Sequence, residues 1–244
     1  MRPSDWTAKG RADYVTEVDR EAERMITADL TAAFPQSIVR GEELNPESVS
    51  RSSVPGPRSP LVWVVDPLDG TTNFLHRFPI YAVSIAATRG NELLAGIVHH
   101  VPLDIRYTAT QGDGAFQDGR RLAVSMNEDP SHALISTGVP FKDLLQWPVY
   151  ARQLQAVATG TAGIRRPGSA ALDLCDVAAG RCEGFWEMRL APWDIAAGTL
   201  MVREAGGVVT DFDGAGDVLR HTSIVAGNAA VHEWLLKTLL ESGI

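Results

Sequence analysis

Lysine is scarce in this chain: three residues against nineteen arginines in a total of 244. Bases as a whole are outnumbered by acids, 22 to 30, which leaves a formal charge of −8. A surface so short of positive charge argues against non-specific nucleic-acid binding and against an anionic membrane surface. The arginine bias reads as genome composition. Cysteine is nearly absent. Cys175 and Cys182 stand seven apart with no CxxC pair or Cys/His cluster, which excludes a disulfide framework and points to reduced thiols of a cytosolic protein. No run of 18 apolar residues is present, so no membrane span is expected. Met1 to Trp6 has no apolar core of the kind a secretory signal needs. Internal repeats and low-complexity tracts are also lacking. What remains is 45% hydrophobic and 21% charged, the balance of a globular protein, and long enough for one large domain or two small ones.

The most informative stretch is Asp66-Pro67-Leu68-Asp69-Gly70-Thr71-Thr72-Asn73-Phe74. It follows the apolar run Leu61 to Val65, which has the length and β-branched content of a buried strand. Proline cannot continue a sheet ladder, so the strand is expected to end at Asp66. Two carboxylates then lie three residues apart on a turn, and carboxylate oxygens are what hard cations such as Mg²⁺ require. Gly70 allows close approach of the backbone to a ligand, and amides after it suit an anion. Metal-holding acids beside phosphate-holding amides suggest phosphoryl chemistry, and an acidic protein acting on phosphates needs such cations locally. Asp-Pro and Asp-Gly are also ordinary turn dipeptides, so the reading depends on other acids joining the site.

In chain order, Thr16-Glu17-Val18-Asp19 has the form of a capping box. Behind it Val18, Ala22, Met25, Ile26, Leu30 and Ala33 recur at helical spacing, predicting an amphipathic helix over 17–33 that stops before Pro35. Ser37 to Arg40 is a short strand leading to the acids Glu42 and Glu43, and Asn45 to Pro60 is a surface loop. Strands are expected over 81–88, 93–100 and 105–108, the first two joined by a turn at Arg89-Gly90-Asn91-Glu92, and a further hairpin over 112–124. His99 and His100 are adjacent on a strand and face opposite sides, so they are read as structural rather than as ligands of one ion. The second half alternates: a strand over 133–137, a helix over 142–158 kinked or split at Pro148, and a helix over 170–179 capped by Ser169. A strand over 182–188 follows, then a helix from Pro192 to Ala205 with Asp194 in its first turn. Strands over 208–211 and 223–226 and a closing helix over 231–240 complete an α/β half.

Each acid alone has a bland explanation. Together, Asp66 to Phe74, Trp193-Asp194-Ile195-Ala196-Ala197-Gly198, Gly41-Glu42-Glu43 and Ala12 to Asp19 resemble the motifs of the inositol monophosphatase family. Gly112 to Phe116 and Gly168-Ser169-Ala170-Ala171-Leu172 match in the same order, so the resemblance covers nearly the whole chain. It implies a layered αβαβα sandwich, one catalytic domain over 1–244 with an antiparallel α+β part (1–127) and an α/β part (128–244). It implies hydrolysis of a phosphate monoester by a metal-activated water, with two or three Mg²⁺ ions, Mn²⁺ as a substitute, and inhibition by Li⁺. By position, Glu42, Asp66 and the carbonyl of Leu68 would hold one ion and Asp66, Asp69 and Asp194 another. Thr71, hydrogen-bonded to Asp19, would orient the attacking water with Glu42 nearby. The Gly70 and Thr71 amides would receive the phosphate, on the same segment as Leu68 and Asp69. Gly168, Ser169, Ala170, Glu187 and Asp194 would line the site for the alcohol.

Haloacid-dehalogenase-type phosphatases use D-x-D-G-T with a nucleophilic first aspartate. The spacing here is one residue longer, so Asp66 is better read as a metal bridge than as a nucleophile. Thr72-Asn73 and Phe78 to Ile85 look inositol-phosphatase-like, which puts inositol 1-phosphate first as substrate and fructose 1,6-bisphosphate or another sugar phosphate second. The resemblance further implies a cytoplasmic homodimer. Members usually carry another helix before the Asp19 motif, where this chain has at most Met1 to Gly10, so altered packing beside the site and at the dimer contact is expected. Some bacterial relatives are partners of the transcription machinery. A catalytically weak protein-binding module is therefore the reading from a different class, opposed here by the presence of every named acid.

Overall fold

Two sheets organise the chain, described over residues 6–10, 13–46, 59–141, 143–220 and 223–243 of a computed structural model. Trp6–Gly10 (β1) and Asp13–Thr16 (β2) form a small antiparallel ladder of their own. Glu17–Ala33 is a helix (α1) with the bounds its periodicity predicts. Thr16 Oγ1 accepts from the amides of Val18 and Asp19, and the Asp19 carboxylate accepts from the Thr16 amide at 2.9 Å, the reciprocal capping box.

The buried face of α1 is the expected one only in part, with Ala22, Ile26 and Leu30 of the apolar stripe half-buried on it. Val18 and Met25 are 45% and 61% exposed, whereas Asp19 and Glu23, one turn apart, are the buried residues of the helix. The reason is tertiary. What lies beneath α1 offers donors, the backbone amides of Glu43 and Leu44 and the hydroxyl of Thr71, and carboxylates satisfy these where methyl groups cannot.

The larger sheet has seven strands in the order Ile38–Gly41 (β3), Leu61–Asp69 (β4), Ala82–Arg89 (β5), Glu92–His100 (β6), Ile105–Thr110 (β7), Gly114–Gln117 (β8) and Arg120–Arg121 (β9). Only β3 and β4 run parallel; the other neighbours are antiparallel. The final hairpin is shorter than expected, because Leu122 to Val124 leave the ladder. The loop expected over 45–60 lies mostly outside the described residues.

Beyond β9 come Leu134–Thr137 (β10), Trp147–Gly160 (α3), Gly163–Arg165 (β11), Ala170–Ala178 (α4), Gly184–Met188 (β12), Pro192–Glu204 (α5), Val208–Thr210 (β13), Ser223–Gly227 (β14) and Ala229–Glu241 (α6). The second sheet is ordered β11-β10-β12-β14-β13, parallel from β11 to β12 and antiparallel from β12 through β14 to β13. Pro148 does not kink α3. It occupies the first turn, where its missing N–H is no loss, and a 3-10 turn over Leu144–Gln146 precedes it. β11 was not expected; three residues are too few for an alternation pattern to register.

The layers run α1, seven-stranded sheet, α4 with α5, five-stranded sheet, α3 with α6. One core cluster joins Val62, Val64, Ala86 and Val98 of the first sheet to Leu174, Ile195, Ala197 and Met201 of the central helices. A second lies outside the smaller sheet, around Tyr150, Val157, Trp186, Val225 and Leu235. Cys175 and Cys182 are free, buried thiols, and burial pushes Cys182 up to about 12. The mixed α/β layering thus matches the class expected from the sequence.

Candidate active site

Pro67 does not terminate β4. The strand continues to Asp69, with Asp66 opposite Ser84 and Asp69 opposite Ala82. Three residue steps on β4 therefore match two on β5, a bulge that takes up Pro67 and Leu68 where a ladder donor is not required. The bulge has a chemical consequence. In a regular strand, residues three apart face opposite sides. Here Asp66 and Asp69 oppose Ser84 and Ala82, which share a face, so both carboxylates emerge on one face. That face looks toward α5, as the 3.4 Å contact from Ser84 Oγ to the carbonyl of Trp193 shows.

Asp66 is almost wholly buried. Desolvation drives its carboxyl well above the usual carboxylate range, and the charges of Glu42, Asp69 and Asp194 push it further the same way. Four acids from β3's end, β4 and α5 are thus near enough to repel one another. Among the described residues, no three acidic, histidine or cysteine side chains converge on one point as they stand. The carboxylates are engaged by donors of the protein. Asp66 Oδ1 accepts from the Leu68 amide at 2.9 Å. Asp69 Oδ2 accepts from Ser169 Oγ at 2.6 Å and from the Ala171 amide at 2.8 Å. Asp194 Oδ2 accepts from the Ala191 amide at 2.6 Å, in the first turn of α5. The donor set is nevertheless all oxygen and in mutual repulsion, which suits a hard divalent cation and no soft one.

Gly70 turns the chain from β4 into the short helix Thr71–Leu75 (α2, in chain order between β4 and β5) at a φ of 93°. A side chain there would begin 2.9 Å from the Ile80 carbonyl, so both conformation and space demand glycine. The first amides of such a turn have no partner within the helix and point outward. Thr71 Oγ1 lies 3.1 Å from the Leu68 carbonyl and 3.3 Å from Asp19 Oδ1, the bond expected between Thr71 and Asp19. Thr16 Oγ1 and its amide occupy the other oxygen of Asp19. The Leu68 carbonyl, expected to face an ion, is therefore also within reach of the Thr71 hydroxyl.

Asn73 Nδ2 donates to the carbonyls of Ile80 and Pro167 at 2.7 and 2.9 Å, tying the turn to the segment that holds Gly168, Ser169 and Ala170. Ser169 caps α4 as expected and is spanned by Asp69. The Glu187 carboxylate lies against Gly138, where a side chain would overlap it, and its charge is felt by Asp173 and Tyr150. His99 bonds Asp104 at 2.9 Å and His100 caps the following 3-10 turn, so neither belongs to the site.

Glu23 is the positioning residue that sequence reasoning missed. Fully buried, it accepts from the amides of Glu43 and Leu44 at 2.7 and 3.0 Å and so sets the turn that carries Glu42. The available signal was its place one turn after Asp19. A side chain on Gly41 would overlap the Glu23 carboxylate. Gly41→Ala is therefore expected to cost about 3 kcal/mol by breaking charge-assisted bonds to a buried acid, read by urea unfolding; a loss under about 1 kcal/mol would contradict that packing.

The described helices include none long and apolar enough to cross a membrane. Compared with known proteins, residues 3–243 match the sequence profile of the inositol monophosphatase family. The chain is 45% identical over 231 residues to an inositol-1-monophosphatase of Mesorhizobium japonicum, spanning 95% of this chain and 84% of that one. It is also 45% identical over 233 residues to a protein of Pseudomonas aeruginosa named Nus factor SuhB, with the same 95% and 84% coverage. The crystal structure of the extragenic suppressor protein SuhB from Bartonella henselae superposes with a TM-score of 0.88 at 44% identity, over 98% of this chain and 90% of that one. By sequence and by fold, then, this chain belongs to the inositol monophosphatase family and is a phosphoric monoester hydrolase.

Proposed function

We propose that the chain hydrolyses inositol 1-phosphate to inositol and phosphate in a Mg²⁺-dependent reaction, as a single catalytic domain. The observation that carries this reading is the β4 bulge, which turns Asp66 and Asp69 to one face beside Glu42 and Asp194. Glu42, Asp66 and the Leu68 carbonyl would hold one Mg²⁺ or Mn²⁺, and Asp66, Asp69 and Asp194 a second, with room in the scheme for a third. Bound there, divalent cations supply Lewis-acid charge to the phosphoryl group and leaving oxygen and make water acidic enough to attack.

The chain's own groups do the rest. The Gly70 and Thr71 amides receive phosphate oxygens, at the end of a turn whose dipoles favour an anion. Thr71 Oγ1 donates its one proton to Asp19 Oδ1 or the Leu68 carbonyl and offers lone pairs to a water, fixing the direction of that water's proton. Glu42 stands by to accept the proton. Gly168, Ser169, Ala170, Glu187 and Asp194 face the alcohol. Fructose 1,6-bisphosphate is the runner-up substrate. The resemblance supports inhibition by Li⁺ and action as a cytoplasmic homodimer.

A second reading rests on the relative named Nus factor SuhB, which is as similar as the named phosphatase. On that reading the chain is a protein-binding regulator with weak catalysis. The deciding experiment is phosphate release with Mg²⁺ from inositol 1-phosphate, fructose 1,6-bisphosphate, histidinol phosphate and adenosine 3′,5′-bisphosphate. We expect the first to be preferred. A folded, metal-binding protein that turns over none of them but forms a stoichiometric complex with a purified transcription factor would reverse the ranking.

A further inference from the structure

In the smaller sheet β10 and β12 are parallel neighbours, with Thr137 beside Trp186. One residue further on, Gly138 comes beside Glu187. From there the two chains part. β10 leads to α3, outside the sheet, and β12 leads to α5, in the central layer between the sheets. Parallel neighbours whose connections leave to opposite faces open a crevice at their carboxyl ends, the usual place for a ligand in such a sheet. The buried carboxyl of Asp173 in α4 feels the charges of both Glu187 and Asp69, so this crevice lies within electrostatic reach of the four acids.

Gly138 is buried and Glu187 half-buried. Both oxygens and the carboxyl carbon of Glu187 occupy the space that a side chain on Gly138 would fill. Unlike Gly70, Gly138 does not have a left-handed backbone, so space and not conformation excludes a side chain there. The strands beneath are fixed. Trp186 stacks on Tyr150 with ring centroids 6.3 Å apart, and the Gly138 carbonyl accepts from Thr137 Oγ1 at 3.1 Å. If the space were taken, the flexible end of Glu187 is the part that would yield. A carboxylate lying across the end of β10 has acceptor sites for more than one hydroxyl.

We propose that Gly138 is a positioning residue: lacking a side chain, it seats the Glu187 carboxylate across the end of β10, where that carboxylate accepts from hydroxyls of the alcohol and selects polyol phosphates over esters of alcohols without further hydroxyls. This rests on the hydrolase reading above, in which Glu187 faces the alcohol. If Gly138 serves packing alone, its substitution affects all esters alike.

The test uses the whole chain with Mg²⁺ and two esters of the same six-membered ring, inositol 1-phosphate and cyclohexyl phosphate. In Gly138→Ala the ratio of kcat/KM, inositol ester over cyclohexyl ester, should fall about tenfold, mainly through KM, with turnover of cyclohexyl phosphate unchanged. Glu187→Gln should lower the same ratio. Adding Gly138→Ala to it should change the ratio by less than about twofold, because both changes remove one interaction. Glu187→Asp, which draws the carboxylate back and leaves Gly138 in place, should lower the ratio as well; an unchanged ratio there would overturn the proposal even if Gly138→Ala did not fold. An unchanged ratio in folded Gly138→Ala, an equal fall for both esters, or a full further fall in the Glu187→Gln background would overturn it while leaving the hydrolase reading intact. No turnover of either ester by the wild type would overturn the hydrolase reading, and this inference with it.

Discussion

Asp66→Asn is expected to cut phosphate release from a monoester by about 10³-fold or more, while leaving the metal-free protein at least as stable as the wild type. The two halves of this result come from one cause. Asp66 is buried among Glu42, Asp69 and Asp194, and both desolvation and those charges disfavour its ionised form. Asparagine keeps the shape and one carbonyl oxygen, so the Leu68 amide retains an acceptor, but it removes one negative charge from the cluster. Without a cation, that removal relieves repulsion. With substrate and cations present, it removes the anion proposed to be shared between two ions, and loss of one preorganised electrostatic group already costs about 10² to 10³ in rate. Activity assays paired with urea unfolding read both halves. A variant that loses activity only because it unfolds would contradict the assignment, as would one that keeps more than about a tenth of the wild-type rate.

The second large effect is on stability as a function of pH and metal. Asp66 and Asp173 are both buried carboxyls raised well above the ordinary value of 3.8, chiefly by desolvation. Between that value and their raised native values, the folded protein holds more protons than the unfolded chain. Stability of the metal-free protein must therefore fall as pH rises through that window, by up to about 1.4 kcal/mol per pH unit for each proton of difference. This is opposite in sign to an acid stabilised by a salt bridge. Mg²⁺ at 100 times its dissociation constant should restore about 2.7 kcal/mol near pH 7, which for a chain of this size is a rise in Tm of about 5–10 °C. Asp66→Asn should remove most of the metal-dependent rise and part of the pH slope, and Asp173→Asn only the other part of the slope. A metal-free melting curve that rises with pH above about 5, or one indifferent to saturating Mg²⁺, would contradict the arrangement of charges described here.

Much of this protein was legible along the chain. The bounds of α1, the Ser169 cap, the strand run from β5 to β7 and the Pro192 start of α5 follow from local signals, because caps, turns and periodicity act over a few residues. The motifs likewise carried the family. What the chain alone could not decide was which way their residues face. The apolar stripe of α1 marked its inward side through Ala22, Ile26 and Leu30 but not the acids buried on it, since the partners of Asp19 and Glu23 come from Thr71 and from Glu43 and Leu44, far away in sequence. Pro67 read as a strand end because a proline removes a ladder donor. Only pairing with β5 showed that the ladder steps around it, and that step is what brings Asp66 and Asp69 to one face. Residue types, local elements and family were therefore set by the sequence itself. The convergence of charge was decided by tertiary structure, because direction and proximity between distant segments are properties of strand register and packing.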